Sequence, residues 1–349
     1  MGQSEYKRRV RYKGTHPKKY DEKYKELHPE KYQETIEKVI QKGITPAGMH
    51  IPIMVEEILT FLKISPGQAG LDATLGYGGH TTKMLEQLQG KGHLYSLDID
   101  SIEMEKTTRR LREKGFSEEV LTTKLLNFAD IDQLTQGDEM FDFVLADLGV
   151  SSMQIDNPER GFTFKSDGPL DLRLNPRIGI SAAQRLRTIR KEELQGMLLE
   201  NADEPYANEI SEAILKNLRK RNTIETTRRL YEVIEEALQF IPEMKRKEAV
   251  KKSCQRTFQA LRIDVNNEFE VLEMFMEKLP DILKPGGRAA ILTFHSGEDR
   301  IVKKAFQEFK RTGIYSEIAD EVIRPSAEEC FKNSRAHSTK MRWAIKATK

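Results

Sequence analysis

The chain has 349 residues, 38% of them hydrophobic and 32% charged, which is enough for two or three domains around a sizeable core. No apolar run approaches the roughly 20 residues of a membrane span, the opening MGQSEYKRRVRYKG lacks a secretory apolar stretch, and Cys254 and Cys330 have no metal-ligand spacing. Membrane, secreted and disulfide-framework classes are thereby set aside, and a cytoplasmic protein with free thiols and no metal is expected.

The net charge of +2 is unevenly spread. Residues 1–45 carry twelve Lys or Arg against seven Asp or Glu and hold five of the ten tyrosines, and HPKKY at 16–20 recurs as HPEKY at 28–32. Tyr20, Tyr24 and Tyr32 fall near one face of a helix with His28. Such a segment suits a nucleic-acid surface, where ammonium groups displace counterions and rings stack on bases. The simpler reading is a solvated amphipathic helix docked on the main domain.

Order changes at ITPAGMHIPIMVEEILTFLKI, where Pro46 and Gly48 make a break and Val55, Ile58, Leu59 and Leu62 take helical spacing. Next, AGLDATLGYGGHTTKMLEQL reads as a strand to about Ala73, a glycine turn and a helix from about His80. GHLYSLDID is a second strand ending in Asp98 and Asp100, SIEMEKTTRRLREK a helix, VLTTKLLNFADI a third strand and FDFVLAD a fourth. This alternation predicts a parallel sheet covered on both faces. From about 155 to 245 only helical stretches are found. CQRTFQALRIDVNNEFEVLEMFMEKLPDIL then reads as a long helical region stopped by KPGG, RAAILTFHS as another strand and KMRWAIKA as the last. The predicted organisation is an N-terminal extension (1–45), an α/β domain in two parts (46–154 and 246–349), and an inserted helical domain (155–245) forming a wall of the cleft at the strand carboxyl ends.

Gly76, Gly78 and Gly79 do not spell the dinucleotide fingerprint G-x-G-x-x-G. A close turn without a pyrophosphate pattern better fits S-adenosylmethionine, with Asp98 placed to accept from its ribose hydroxyls. A nicotinamide-dependent oxidoreductase would explain the sheet and Asp98 but not the glycine spacing. His80 either lines the site or opens a helix, and Phe128 either stacks beside adenine or belongs to the core. The fourth strand ends on Asp147, followed by Leu-Gly-Val-Ser-Ser. Asp147 is read as a cofactor anchor that also faces the reacting group. Ser151 and Ser152 either orient a substrate in the cleft or close a turn. His295, ending the strand after the insertion, either positions a substrate, acts as a general base or is structural. Arg256 and Arg262, on one helix, either touch phosphate or hold the insertion in place.

DATLGYGGH, DLGVSSMQIDNPERGFTFKSDGPLDLRLNP, RTFQALRIDVNNE, LKPGGRAAILTFHSGEDRIVK and RPSAEECFKNSRAHSTKMR together resemble the bacterial 16S ribosomal RNA cytidine-N4 methyltransferase family, in order from about His50 to Lys346. The resemblance implies a class I (Rossmann-like) S-adenosylmethionine methyltransferase sheet with an inserted helical domain. It also implies 16S rRNA or the small ribosomal subunit as partner, and leaves a homodimer open. Cofactor contacts carried over from it fall on Gly78, Gly79, His80, Asp98, Phe128, Asp147 and Gln154; Gln154 comes from the resemblance alone. Tyr77 stands where the family usually has Arg, Met153 where Pro is common and Gly297 where FHSLEDR has Leu, while Asn208 and Glu209 replace Lys and Arg. Two alternatives stay open: a paralogue acting on another RNA site, and a non-catalytic RNA-binding assembly factor.

Overall fold

The computed structural model describes residues 52–134 and 140–348. The basic extension, with its tyrosines and its repeat, lies outside the described residues. The chain builds a seven-stranded sheet in the order β3-β2-β1-β4-β5-β7-β6, from β1 (Ala69–Asp72), β2 (His93–Asp98), β3 (Leu121–Leu125), β4 (Phe141–Asp147), β5 (Leu283–Thr293), β6 (Tyr315–Ile318) and β7 (Lys340–Lys346). Strands β1 to β5 pair in parallel, as helical crossovers require.

Side chains of β4 alternate between two buried faces, which is why its run is apolar from Phe143 to Ala146. Val144 and Ala146 join a cluster with Leu272, Phe275 and Leu279 of α10 (Glu268–Ile282). Phe143 and Leu145 join the opposite one, with Ile58 of α1 (Val55–Leu62) and Met84 and Leu88 of α2 (Gly79–Leu88). Gly70 of β1 admits the ring of Phe143, since a Cβ there would come within 2.1 Å of it.

Three expectations are corrected. The sheet is not wholly parallel: β7 runs antiparallel to both β5 and β6, because β5 and β6 run the same way one lane apart and the chain returns from β6 into the lane between them. KPGG does not precede its strand; it lies within β5, where pairing with β4 jumps from Phe141–Leu283 to Phe143–Arg288. That irregularity absorbs Pro285 and the close approach of Gly287 to the Lys284 carbonyl. The long helical region is two helices, α9 (Glu243–Asn266) and α10, broken at Asn267 in the left-handed conformation (φ 48°) that Asn tolerates.

Between β4 and β5 the regular elements among the described residues are helical: α4 (Ser152–Asp156), a 3-10 turn (Pro158–Arg160), α5 (Ala182–Thr188), α6 (Lys191–Ala202), α7 (Ala207–Arg219), α8 (Thr227–Ala237) and α9. They close around their own core, which includes Leu186, Leu198, Ile210, Ile214, Leu230 and Ile234. Val250, Cys254, Phe258 and Leu261 of α9 belong to the same core. A boundary at residue 245 therefore cuts through a helix. No helix among the described residues is long and apolar enough to cross a membrane.

Candidate active site

The sheet winds outward in both directions from β1 and β4, so their carboxyl ends form the mouth of a cleft. The turn after β1 has Gly76 at φ 48° and Gly78 at φ 78°. A Cβ on Gly78 would lie 2.9 Å from the Thr107 methyl, so α3 (Ser101–Glu113) can press against the turn. Thr107 Oγ1 donates to the Gly76 carbonyl (2.7 Å), and the Arg110 guanidinium lies 3.8 Å over the Tyr77 ring. Gly79 packs on Pro52, with a Cβ position 3.1 Å from it.

Asp98 ends β2 with Oδ2 accepting from Gly76 N (2.9 Å) and Oδ1 from Asp100 N (2.8 Å). Burial, aided by the nearby Asp100 carboxylate and opposed by these N–H groups, pushes its pKa up to about 7. Its neighbour Asp100 is fully buried. Asp100 Oδ1 caps α3 by accepting from Ile102 N and Glu103 N, while Oδ2 takes Gln154 Nε2 (2.9 Å) and Arg160 Nη1 (2.6 Å). Arg160 Nη2 continues to the carbonyls of Arg173 and Leu174, and Leu174 N donates to Asn266 Oδ1 at the end of α9. A polar strap thus ties the cofactor side of the sheet to the helical segment.

Asp147 ends β4 with its N–H on Thr74 Oγ1 (2.7 Å). Its Oδ2 lies 3.4 Å from His80 Nδ1, and its Oδ1 is buried without a partner. His80, in the first turn of α2, also meets the Ile53 carbonyl through Nε2 (2.9 Å). Burial works to lower the His80 pKa, but Asp147, the Ile53 carbonyl and Asp72 outweigh it and hold it above the usual value. Asp72 is itself buried and raised by desolvation, despite accepting from Thr81 Oγ1 (2.6 Å) and Thr74 N (3.1 Å).

The remaining expected site residues divide. Ser151 is the N-cap of α4: its Oγ accepts from Gln154 N (3.2 Å) while Gln154 Oε1 accepts from Ser151 N (2.9 Å). Ser152 opens that helix. Gln154 is thereby committed to Ser151 and Asp100. Phe128 opens the 3-10 turn after β3, half-buried and edge-on to Phe275 (5.2 Å). His295 caps α11 (Ser296–Arg311) by accepting from Glu298 N, and its Nε2 lies 3.2 Å from Glu298 Oε1 without hydrogen-bond alignment. It follows Leu292, which pairs with Asp147 across the sheet, so the two loops share one edge. Glu268, His295 and Glu298 could in principle gather a cation, but both oxygens of Glu268 take the Arg262 guanidinium at 2.8 Å. Arg262 thus braces α9 against α10. Asp72, Thr74 and Arg160 escape a reading aimed at glycines and strand ends; Arg160 does stand within the quoted motif, but nothing local marks its partner 60 residues away.

A glycine turn with two acceptor carboxylates, one of them holding an orphaned oxygen, suits ligands that bring donors, such as ribose hydroxyls at Asp98 and an amine at Asp147. A pyrophosphate would need donors here instead. With this strand order, the fold and site define a class I methyltransferase. The chain belongs to the MraW methylase family, whose model matches residues 47–347. It is 68% identical to "Ribosomal RNA small subunit methyltransferase H 1" of Lachnoclostridium phytofermentans, over 98% of this chain and 93% of the relative. It is 65% identical to a protein of the same name in Agathobacter rectalis, over 99% of each, and 54% identical to "Ribosomal RNA small subunit methyltransferase H 2" of Acholeplasma laidlawii, over 99% of this chain and 100% of the relative.

Proposed function

We infer that the protein transfers a methyl group from S-adenosylmethionine to N4 of a cytidine in small-subunit ribosomal RNA, in the cytoplasm. The observation that carries the chemistry is Asp147 Oδ1, a buried acceptor without a partner at the carboxyl end of β4; the family and the names of its relatives support the substrate.

A cytosine amine is a poor nucleophile because its lone pair is delocalised into the ring. The cofactor supplies an electrophilic methyl group. Gly78, Gly79 and Asp98 would hold that cofactor, Asp98 by accepting from its ribose hydroxyls, with Phe128 beside the adenine. Asp147 accepts a hydrogen of the amine, drawing its lone pair out of conjugation and stabilising the charge that develops on nitrogen. As the N4–methyl bond forms and the methyl–sulfur bond breaks, one N4 proton passes to Oδ1 and then to water. A paired cytosine has its amine occupied, so the base enters unpaired or extruded, at a cost of a few kcal/mol. The helical segment strapped on through Arg160 forms the opposing wall and serves substrate recognition, and His295 borders the base. Incubation with labelled cofactor and small subunits lacking the modification, followed by digestion to nucleosides, tests the reading. Label in N4-methylcytidine is expected; label confined to C5-methylcytidine or a ribose-methylated nucleoside refutes it.

A further inference from the structure

His80 stands between acceptors. Its Nε2 lies 2.9 Å from the Ile53 carbonyl oxygen, and a carbonyl cannot donate, so Nε2 carries a proton. A neutral ring protonated there presents a lone pair at Nδ1. That atom lies 3.4 Å from Asp147 Oδ2, which as a carboxylate is again only an acceptor. Two lone pairs facing each other in a buried pocket repel. The pairing turns attractive once a proton sits between them. A second buried carboxylate, Asp72, acts on the same ring through space, and its own oxygens are held by Thr81 and Thr74. Asp147 and Asp72 are the charged groups that face His80 among the described residues, and both favour a cation.

We propose that His80 is an imidazolium at neutral pH in the free protein, donating from both nitrogens, and that it is a positioning residue for methyl transfer. Held through Oδ2, Asp147 is turned so that Oδ1 is left to accept from the amine. The ion pair also leaves the pocket less negative than two bare carboxylates would, which limits electrostatic trapping of a cationic cofactor. The assignment of Oδ1 to the amine rests on the function proposed above; the protonation state does not.

The test is side-chain nitrogen-15 NMR of histidine-labelled full-length protein without cofactor or RNA, with the His80 signals assigned from His80→Gln. Both ring nitrogens protonated at pH 7.5 are expected, with a midpoint above the ordinary value of about 6.5. Asp147→Asn should lower that midpoint, because it removes the carboxylate beside Nδ1. A neutral ring at pH 7, or a midpoint indifferent to Asp147→Asn, overturns the proposal whatever reaction the protein catalyses. The kinetic arm uses His80→Gln at saturating cofactor. The alkaline limb of kcat, which loss of the His80 proton imposes on the wild type, should be absent from this variant. A uniform loss at every pH would make His80 merely structural and overturn the positioning role.

Discussion

Asp98 is a carboxylate whose free-protein pKa lies near the pH at which the enzyme must bind its cofactor. Burial sets that value, at about 7, and ribose hydroxyls would stabilise the ionised form. Binding and deprotonation are therefore linked: affinity rises as pH rises through 7 and levels off above it. If only the ionised form binds, the dissociation constant at pH 6 should be roughly tenfold weaker than at pH 8, and Asp98→Asn should flatten that dependence. Asp98→Ala should lose roughly 1.5–3 kcal/mol of binding by calorimetry, the range for charged hydrogen bonds; unchanged affinity would remove Asp98 from the site. Ser151 poses a different question, because its Oγ already caps α4. Loss of the cap alone should cost about 0.5–2 kcal/mol of stability in Ser151→Ala. Ser151→Asp restores a cap without a hydroxyl. Recovery of turnover with the cap would make the serine a scaffold for Gln154 and Asp100, whereas continued loss with intact cofactor affinity would place the hydroxyl at the base.

At the scale of elements, legibility follows how local the cause is. Strand β4 is readable because burial on both faces demands the apolar run from Phe143 to Ala146, and its end is readable because Asp147 stops that run. Strand β6 is not: its four residues bury Tyr315 alone, leaving no period to detect. The entry of KPGG into β5 depends on pairing with β4, which no window of sequence contains. The same holds for the cap of Ser151 on Gln154, which is local and could have been read, against the tie of Gln154 to Asp100, which could not. Gly297 shows how a tertiary cause explains a departure from the family's FHSLEDR. A Cβ there would lie 2.5 Å from the Phe269 ring, so α10 supplies the volume that α11 omits. Gly297→Leu should therefore destabilise the protein by about 1–3 kcal/mol through overpacking. Phe269→Ala should relieve that cost in the double variant, giving a favourable coupling in a thermal-denaturation cycle; additive losses would mean the ring does not fill the space.

Over the whole molecule the decisive feature is where the charge lies. The chain carries 57 Lys and Arg against 55 Asp and Glu, a net of +2, and residues 1–45 hold twelve against seven, a net of +5. Subtracting leaves 45 against 48 in residues 46–349, a net of −3. The part of the chain matched by the methylase family is thus slightly acidic, although its proposed substrate is a polyanion. Electrostatic attraction would then rest on the extension, and relatives aligned over 98% and 99% of this chain must share most of it. We predict that deleting residues 1–45 leaves cofactor affinity unchanged but weakens RNA binding, most at low salt. Each phosphate that the truncated protein no longer neutralises should reduce the slope of log affinity against log salt by about 0.7 for single-stranded RNA. Neutralising Lys18, Lys19 and Lys31 in the full chain should reproduce part of that change, while replacing Tyr20, Tyr24 and Tyr32 by Leu should weaken binding with little change in slope, because stacking releases no counterions. If the truncated protein instead keeps the full-length slope, the extension contributes nothing to RNA binding, and the RNA must find its cations on the helical segment.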